Sequence, residues 1–336
     1  MFKTPVLIAA LLLFACVQQA PSQEPEPDET IKVSTELVSV PVVVTDKEGR
    51  YTPDLVRSDF EIFQDGVKQP IEFFATAEEP LTVALLIDTS HSTRSVLDDI
   101  KGAAKSFIKL LKPTDRAMIV SFDYETHILS PLTSDQEELK KAVKHAEIPD
   151  PIGTTLRDAI LDTVFTSFKG ITGRKALIVL TDGRDGGSHI NARDLLSRVQ
   201  QSDTLIYSVL FRADEKLRME RMLRTGRIDD FPGRRRGNPE KQEQRRAHQD
   251  ELNARAQDFM QRLSISTAGH FYESESGKLS KTFALIVDEL RRQYRLGYYP
   301  PDEKGDNAVH TIGVRVDRPN LTVRSRLKYH RQQPGE

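Results

Sequence analysis

The chain has 336 residues, of which 38% are hydrophobic and 29% are charged, enough for one large domain and a smaller one. Its formal net charge of −2 provides no bulk attraction to nucleic acid or to an anionic membrane surface. The single cysteine, Cys16, excludes an intrachain disulfide framework and any metal site built from several cysteines.

The N-terminal residues have the pattern of an export signal. An apolar run follows Lys3; it is too short to cross a bilayer but suits a signal peptide, which we predict over residues 1–15. Two interpretations of Cys16 stay open: it is the lipidated first residue of a mature lipoprotein, or it is incidental to an ordinary cleaved signal. Both predict a protein outside the cytoplasm, whether secreted, periplasmic or anchored to the membrane by lipid. Residues 16–30, rich in Pro, Gln and Glu, are predicted to form a disordered tether.

Residues 31–76 have the pattern of β-structure. Val occupies every second position from 38 to 44, which is the period of a strand with one buried face. Pro41 cannot donate a hydrogen bond, so it predicts either an edge strand or two short strands that meet at a bend. Asp65-Gly66 lies between two apolar runs and predicts a hairpin turn.

Between residues 80 and 275, strand and helix patterns alternate. Strands are predicted over residues 82–88, 116–122, 127–132, 175–180, 203–211 and 270–272, and helices over 95–111, 134–146, 155–168, 191–201 and 259–265. Ser134 and Glu137 are predicted to cap the second helix. The alternation predicts an α/β fold, a doubly wound, mainly parallel and Rossmann-like sheet with helices on both faces.

Residues 212–255 interrupt this alternation with a highly charged stretch that includes Arg234-Arg235-Arg236. One interpretation is a docking site for an acidic partner, and the other is a solvated, partly helical insertion. We favour the insertion, because runs of charge are usually solvated.

Residues 276–330 combine a closing helix, predicted over 283–294, with strand patterns at 294–299, 309–316 and 321–329. Neither this segment nor residues 31–76 has enough strands to be stable alone. We therefore predict that the two pair into one small β-domain, with the α/β domain inserted between them. Tyr294, Tyr298 and Tyr299 are predicted to pack its core, the alternative being an aromatic binding patch.

Side chains with oxygen donors cluster at three junctions of the α/β region. Asp88, Ser90 and Ser92 follow the first buried strand, Thr154 and Thr155 lie in a glycine-led loop that opens a helix, and Asp182 follows the third buried strand. A parallel sheet gathers such junctions at one edge. Carboxylate and hydroxyl oxygens are hard donors, so they suit a hard divalent cation.

These three segments resemble the von Willebrand factor type A domain and its metal-ion-dependent adhesion site. The motif of that family is Asp-x-Ser-x-Ser followed by a distant Thr and a distant Asp. Asp88, Ser90 and Ser92 match the first part, Thr154 matches the Thr, with Thr155 as second choice, and Asp182 matches the last Asp. The resemblance covers about residues 80–275, and the whole chain is similar to bacterial secreted proteins that carry this domain.

The resemblance implies a site for Mg²⁺, or for Mn²⁺ or Ca²⁺, held by these five residues. In the family, hydroxyls bind the ion directly, a carboxylate acts through water, and a Glu or Asp of a partner protein fills the open position. The function predicted is therefore metal-dependent protein binding in the bacterial cell envelope. No nucleic acid partner is expected, a membrane is contacted only through a lipid anchor on Cys16, and the oligomeric state stays open.

Two other functions fit the sequence less well. Ser90, His91 and Asp182 lie near one another, but His91 stands between two ligand positions and should point away from them, and no Gly-x-Ser-x-Gly elbow is present. A phosphatase loop of the Asp-x-Asp type has Ser90 in place of its second acid, so it lacks a general acid. We predict no catalytic residue. The second alternative is a structural envelope protein that binds through its β-domain.

Overall fold

The computed structural model describes residues 37–76, 79–150, 152–212, 239–301 and 309–330. Contacts divide the chain into the units Met1–Ser34 and Thr35–Glu336, and every element below belongs to the second. The predicted signal peptide, Cys16 and the tether lie outside the described residues, as does Arg234-Arg235-Arg236.

The secondary structure of the described residues comprises strands and helices in the following order. The strands are Val38–Asp46 (β1), Phe60–Gln64 (β2), Val67–Gln69 (β3), Phe73–Ala75 (β4), Leu81–Asp88 (β5), Arg116–Phe122 (β6), Thr126–Thr133 (β7), Arg174–Thr181 (β8), Leu205–Arg212 (β9), Phe271–Glu275 (β10), Tyr294–Tyr298 (β11), Val309–Val316 (β12), Leu321–Ser325 (β13) and Lys328–His330 (β14). The α-helices are Leu97–Leu110 (α1), Gln136–Lys144 (α2), Leu156–Asp162 (α3), Ala192–Val199 (α4), Pro239–Ser266 (α5) and Leu279–Arg291 (α6).

A six-stranded sheet in the order β10-β9-β8-β5-β6-β7 forms the centre of the α/β part. Adjacent strands in this sheet are parallel, except that β7 runs antiparallel to β6. Strand β5 lies in the middle and is buried along its whole length. An uninterrupted apolar sequence is what a strand covered on both faces requires.

Helices cover both faces of this sheet, and alternate residues of β5 enter two separate cores. Leu85 packs into the core that contains residues of α1 and α6, where the rings of Phe107 and Phe283 lie 5.4 Å apart. Leu86 packs into the core that contains residues of α3, α4 and α5. The predicted doubly wound α/β fold is therefore confirmed.

The remaining strands form two antiparallel sheets, in the orders β13-β1-β11-β4 and β14-β12-β2-β3. Strand β1 pairs with both β11 and β13, and β2 pairs with β12, so segments on either side of the α/β part share these sheets. Their core includes Val40, Ile62 and Leu296, none of which is exposed. Tyr294 and Tyr298 are also buried there, whereas Tyr299 is half exposed.

Strand β1 differs from the prediction made at Pro41. It is one continuous strand with a neighbour on each side, rather than an edge strand or two strands. Its partner changes at Val42: residues 38–42 pair with β11 and residues 42–46 pair with β13. Pro41 thus lies in the half that has a single neighbour, which explains how an interior strand accommodates a proline.

Two helix predictions also need correction. The cap of α2 is Asp135 rather than Ser134, because the Asp135 carboxylate accepts the backbone N–H groups of Glu137 at 2.8 Å and Glu138 at 3.2 Å. Helix α5 begins at Pro239 rather than at residue 259 and continues without a break to Ser266, so the part of the partly helical insertion from Pro239 onward is helical, as expected. No helix within the described ranges is both long and apolar enough to cross a membrane.

The α/β part and the segments that form the antiparallel sheets meet at a buried carboxylate, Glu289 of α6, which is 1% exposed. Five side chains bind it: Tyr51 at 2.9 Å, Tyr207 at 2.8 Å, His270 at 3.1 Å, Tyr272 at 3.4 Å, and Arg324. Burial alone raises the pKa of Glu289, but the hydrogen bond from His270 and the charge of Arg324 outweigh it and hold the pKa below its usual range. Tyr51 lies between β1 and β2 and Arg324 lies in β13, so this cluster joins the segments that form the antiparallel sheets to the α/β part.

Candidate metal centre

Asp88 ends the central strand β5 at the carboxyl edge of the sheet, and it is completely buried. Its Oδ1 accepts the backbone N–H of Ser90 at 2.9 Å, and its Oδ2 accepts the hydroxyl of Thr181 at 2.6 Å. These two bonds fix the orientation of the carboxylate.

The loop after Asp88 places two hydroxyl groups side by side. Ser90 Oγ and Ser92 Oγ lie 3.0 Å apart. The hydroxyl of Thr93 donates to the carbonyl oxygens of Asp88, at 3.1 Å, and Ser90, at 2.8 Å, which closes the loop into a tight turn. The turn therefore holds the two serine hydroxyl oxygens next to each other.

Asp182 follows β8, the strand next to β5, and its side chain is 17% exposed. The backbone N–H of Arg184 donates to Asp182 Oδ1 at 3.1 Å, and the Arg184 guanidinium lies 3.6 Å from Oδ2. Burial and, second, the negative charge of Asp182 raise the pKa of Asp88 to about 7. The two carboxylates are thus close enough to repel each other.

The loop before α3 distinguishes between its two threonines. The hydroxyl and the N–H of Thr155 both donate to the carbonyl oxygen of Asp123, at 3.1 Å and 2.7 Å, so this side chain is held against β6. The carbonyl oxygen of Thr154 accepts N–H groups of Gly186 at 3.2 Å and Gly187 at 2.9 Å, in the segment that follows Asp182. This arrangement favours Thr154 over Thr155 as the donor.

The structure brings the predicted ligands to one edge. Ser90 forms hydrogen bonds with both Asp88 and Ser92, and Asp182 lies within electrostatic range of Asp88. Thr154 is in a loop tied to both neighbouring segments. Two carboxylates and three hydroxyls are hard donors that fit Mg²⁺, Mn²⁺ or Ca²⁺. A cation between the carboxylates would also offset their repulsion. Clusters of three or more His, Cys, Asp or Glu side chains suited to a metal are absent from the described residues, so the donor set here depends on hydroxyls.

Asp123, which was not predicted as a site residue, accepts hydrogen bonds from residues next to the candidate ligands. It is 2% exposed, and its carboxylate accepts the hydroxyl of Thr89 at 3.2 Å and contacts His127 Nε2 at 3.3 Å. Its carbonyl oxygen holds Thr155, as described above. The signal was present, because Asp123 follows the apolar strand β6 in the way that Asp88 ends β5.

Comparison with known proteins agrees with this geometry. The family model of the von Willebrand factor type A domain matches residues 82–231, a range that contains β5 except for its first residue and all five candidate ligands. The chain therefore contains a von Willebrand factor type A domain. No curated protein matches the chain.

Several solved structures are similar to this chain at low sequence identity. A conserved hypothetical protein, BatB, from Bacteroides thetaiotaomicron is 17% identical over 63% of this chain and 96% of its own, with a TM-score of 0.43. A von Willebrand factor type A protein from Catenulispora acidiphila is 12% identical over 81% of this chain and 72% of its own, with a TM-score of 0.46. Proximal thread matrix protein 1 from the mussel byssus, with a zinc-occupied metal-ion-dependent adhesion site, is 15% identical over 68% of this chain and 49% of its own, with a TM-score of 0.47. Similarities at this level carry no functional information.

Proposed function

We propose that this protein binds another protein through a divalent cation held by Asp88, Ser90, Ser92, Thr154 and Asp182. The observation that carries the proposal is the buried Asp88 carboxylate, which lies beside two serine oxygens 3.0 Å apart and within range of the Asp182 charge. Mg²⁺ is the ion we favour, with Mn²⁺ and Ca²⁺ as alternatives, because all the donors are hard oxygens.

When bound, the cation supplies a position at which a carboxylate from outside the chain can coordinate. Three of the five donors are neutral hydroxyls, so the chain itself neutralises the ion with two carboxylates at most. If either acid acts through water, the attraction left for a third carboxylate increases. A Glu or Asp of a partner protein therefore fits the site.

Catalysis has weaker support than binding. Nδ1 of His91 is buried and has no hydrogen-bond partner among the described residues. His91 therefore lacks the second contact that a Ser-His-Asp triad uses to orient its imidazole. We accordingly propose a binding protein without enzymatic activity, and binding through the β-domain alone is the remaining alternative.

The proposal keeps the location and boundaries expected from the sequence. A signal peptide at residues 1–15, with Cys16 lipidated or not, and a tether at 16–30 would place the binding part in the cell envelope. The von Willebrand type A domain would span residues 80–275, including the 212–255 insertion, and residues 31–76 and 276–330 would form the β-domain.

The test compares wild type with Asp88→Asn, and with Asp258→Asn as a control that removes an exposed acid of α5. Mg²⁺ at a hundred times its Kd should stabilise the wild type by about 2.7 kcal/mol, which corresponds to a rise in Tm of roughly 5–10 °C. Asp88→Asn should show neither this rise nor heat of Mg²⁺ binding in calorimetry, and the control should behave as wild type.

Capture of a partner from envelope extract should disappear in EDTA. Unchanged Mg²⁺ binding by Asp88→Asn, or capture that is insensitive to EDTA, would refute the proposal.

A further inference from the structure

Two large apolar side chains lie exposed beside the loop that carries Thr154. Ile152 is 83% exposed, the largest value for any large apolar side chain among the described residues. Tyr124 is 38% exposed and follows Asp123 at the end of β6. We refer to Ile152 and Tyr124 together as the apolar rim.

The backbone holds the two members of the apolar rim together. A Cβ atom on Gly153 would lie 2.7 Å from Tyr124 Cβ, so the loop backbone runs directly against Tyr124. The two hydrogen bonds from Thr155 to the carbonyl oxygen of Asp123 tie the same loop to the same turn. The apolar rim is therefore fixed to the loop that carries a candidate ligand.

The opposite side of the site is polar. Arg184, whose side chain is 57% exposed, lies two positions after Asp182. A carboxylate that approaches the cation would thus meet a guanidinium from the β8 side and the apolar rim from the β6 side. A single exposed apolar side chain needs no explanation, but two that border a candidate ligand loop make a surface continuous with the metal site.

We propose that the apolar rim selects the partner: the acidic residue that reaches the cation is next to a large apolar residue, which packs on Ile152 and Tyr124. This inference rests on the proposed function, since the carboxylate is placed by the metal. The occupant is an acidic peptide segment of a partner protein, with Asp or Glu adjacent to Leu, Ile or Phe. The charge of the cation and of Arg184 is complementary to the acid, and the rim accommodates its neighbour.

Removing the isoleucine side chain should weaken binding by a measurable factor. The burial of a side chain of this size corresponds to an affinity change of roughly ten- to a hundredfold. The loss should apply only to peptides that have the apolar neighbour. Peptides with Gly or Ser beside the acid should bind wild type and Ile152→Ser equally.

The experiment uses the full chain and an array of synthetic nonapeptides. The central residue is Asp, Glu or Gln, and its neighbours are Leu, Ile, Phe, Gly or Ser; each array is probed in Mg²⁺ and in EDTA. The variants are Ile152→Ser and, as a matched control, Leu285→Ser, which changes a 56% exposed leucine of α6. Calorimetry with Mg²⁺ alone should give the same affinity for all three proteins, because neither substitution removes a metal ligand.

Wild type and Leu285→Ser should prefer acidic peptides with an apolar neighbour, in Mg²⁺ only, and Ile152→Ser should lose that preference while it keeps metal-dependent binding of the acid. If wild type binds acidic peptides in Mg²⁺ without regard to the neighbour, the inference is wrong and the proposed function stands. If no peptide binds in a metal-dependent way, the inference is wrong, and the proposed function is decided by the Asp88→Asn and EDTA comparisons alone.

Discussion

Glu289 offers the sharpest test of how the two parts of the molecule are joined. Substitution by Gln keeps the volume and one oxygen acceptor but removes the negative charge that faces Arg324, His270 and the hydroxyls of Tyr51 and Tyr207. Removing one partner of a buried ion pair costs about 3–5 kcal/mol, because the other charge is left uncompensated. The Arg324 side chain is 30% exposed, so water relieves part of this cost. We therefore expect the lower end, about 3 kcal/mol.

The effect should depend on pH with a defined sign. The pKa of Glu289 is lower than its ordinary value of 4.5, so the carboxylate stabilises the folded state above that pH. This stabilisation is lost as the pH falls through the native pKa, where the folded carboxyl takes up a proton. The difference in unfolding free energy between wild type and Glu289→Gln should thus be full at pH 6–7 and shrink below about pH 4.5.

The assay is urea unfolding followed by circular dichroism at several pH values, with Tm as a second measure. At neutral pH the Tm of Glu289→Gln should fall by roughly 6 °C. Glu251→Gln, which removes an exposed acid that pairs with Arg255 on α5, should change stability by less than about 0.5 kcal/mol. A difference below about 1 kcal/mol at pH 7, or one that does not depend on pH between 7 and 3, would refute the assignment of Glu289 as the charged centre of the junction.

Three further substitutions test local geometry. Gly153→Ala would place a Cβ 2.7 Å from Tyr124 Cβ and displace the loop of Thr154, so Mg²⁺ affinity measured by calorimetry should fall about tenfold, with a loss of stability of about 1 kcal/mol. An unchanged affinity would contradict the placement of Thr154. Gly269→Ala would drive a Cβ into the carbonyl oxygen of Ile206 in β9, and urea unfolding should show a loss of about 3 kcal/mol. Asp135→Ala should cost about 1 kcal/mol in the same assay by removing the cap of α2, and a neutral result would exclude that cap.

The sheet and its edge were predictable from local patterns. A strand buried on both faces has an uninterrupted apolar sequence, and the end of that sequence marks the carboxyl edge where Asp88 and Asp182 lie. Asp88 and Thr181 are 93 positions apart, yet adjacency of β5 and β8 places them in a 2.6 Å hydrogen bond. The apolar pattern of the sequence alone indicated the types of the site residues and the edge of the sheet at which they lie. The hydrogen bonds that orient each oxygen could be found only in the three-dimensional structure.

The junction at Glu289 could not be predicted in this way. Its partners come from β-segments at both ends of the chain and from β9 and β10, and no periodicity in the sequence relates them. An acid near the end of an amphipathic helix is normally expected in solvent. Only the packing of α6 against the six-stranded sheet, together with the contacts from Tyr51 and Arg324, makes this carboxylate a buried centre.

Helix α5 shows why apolar periodicity placed the start of this helix at residue 259 rather than at Pro239. Apolar periodicity identifies helices that bury one face, and in α5 the buried apolar residues Met260 and Leu263 occur only near its C-terminal end. The preceding turns are polar, and pairs such as Glu251 with Arg255 at 2.6 Å follow the i, i+4 spacing that supports an exposed helix. The helix therefore extends beyond the residues that contact the core.

The arrangement of the candidate metal centre also explains how a site can be assembled from weak individual donors. Hydroxyl groups hold a cation less strongly than carboxylates do, so their positions have to be fixed before the ion arrives. Thr93 closes the serine loop, Thr181 orients Asp88, and Asp123 anchors the threonine loop. None of these three contributes a predicted donor. If the proposed metal site is correct, its affinity should consequently depend on this supporting layer as well as on the five proposed ligands, since each bond in it reduces the ordering that binding would otherwise require.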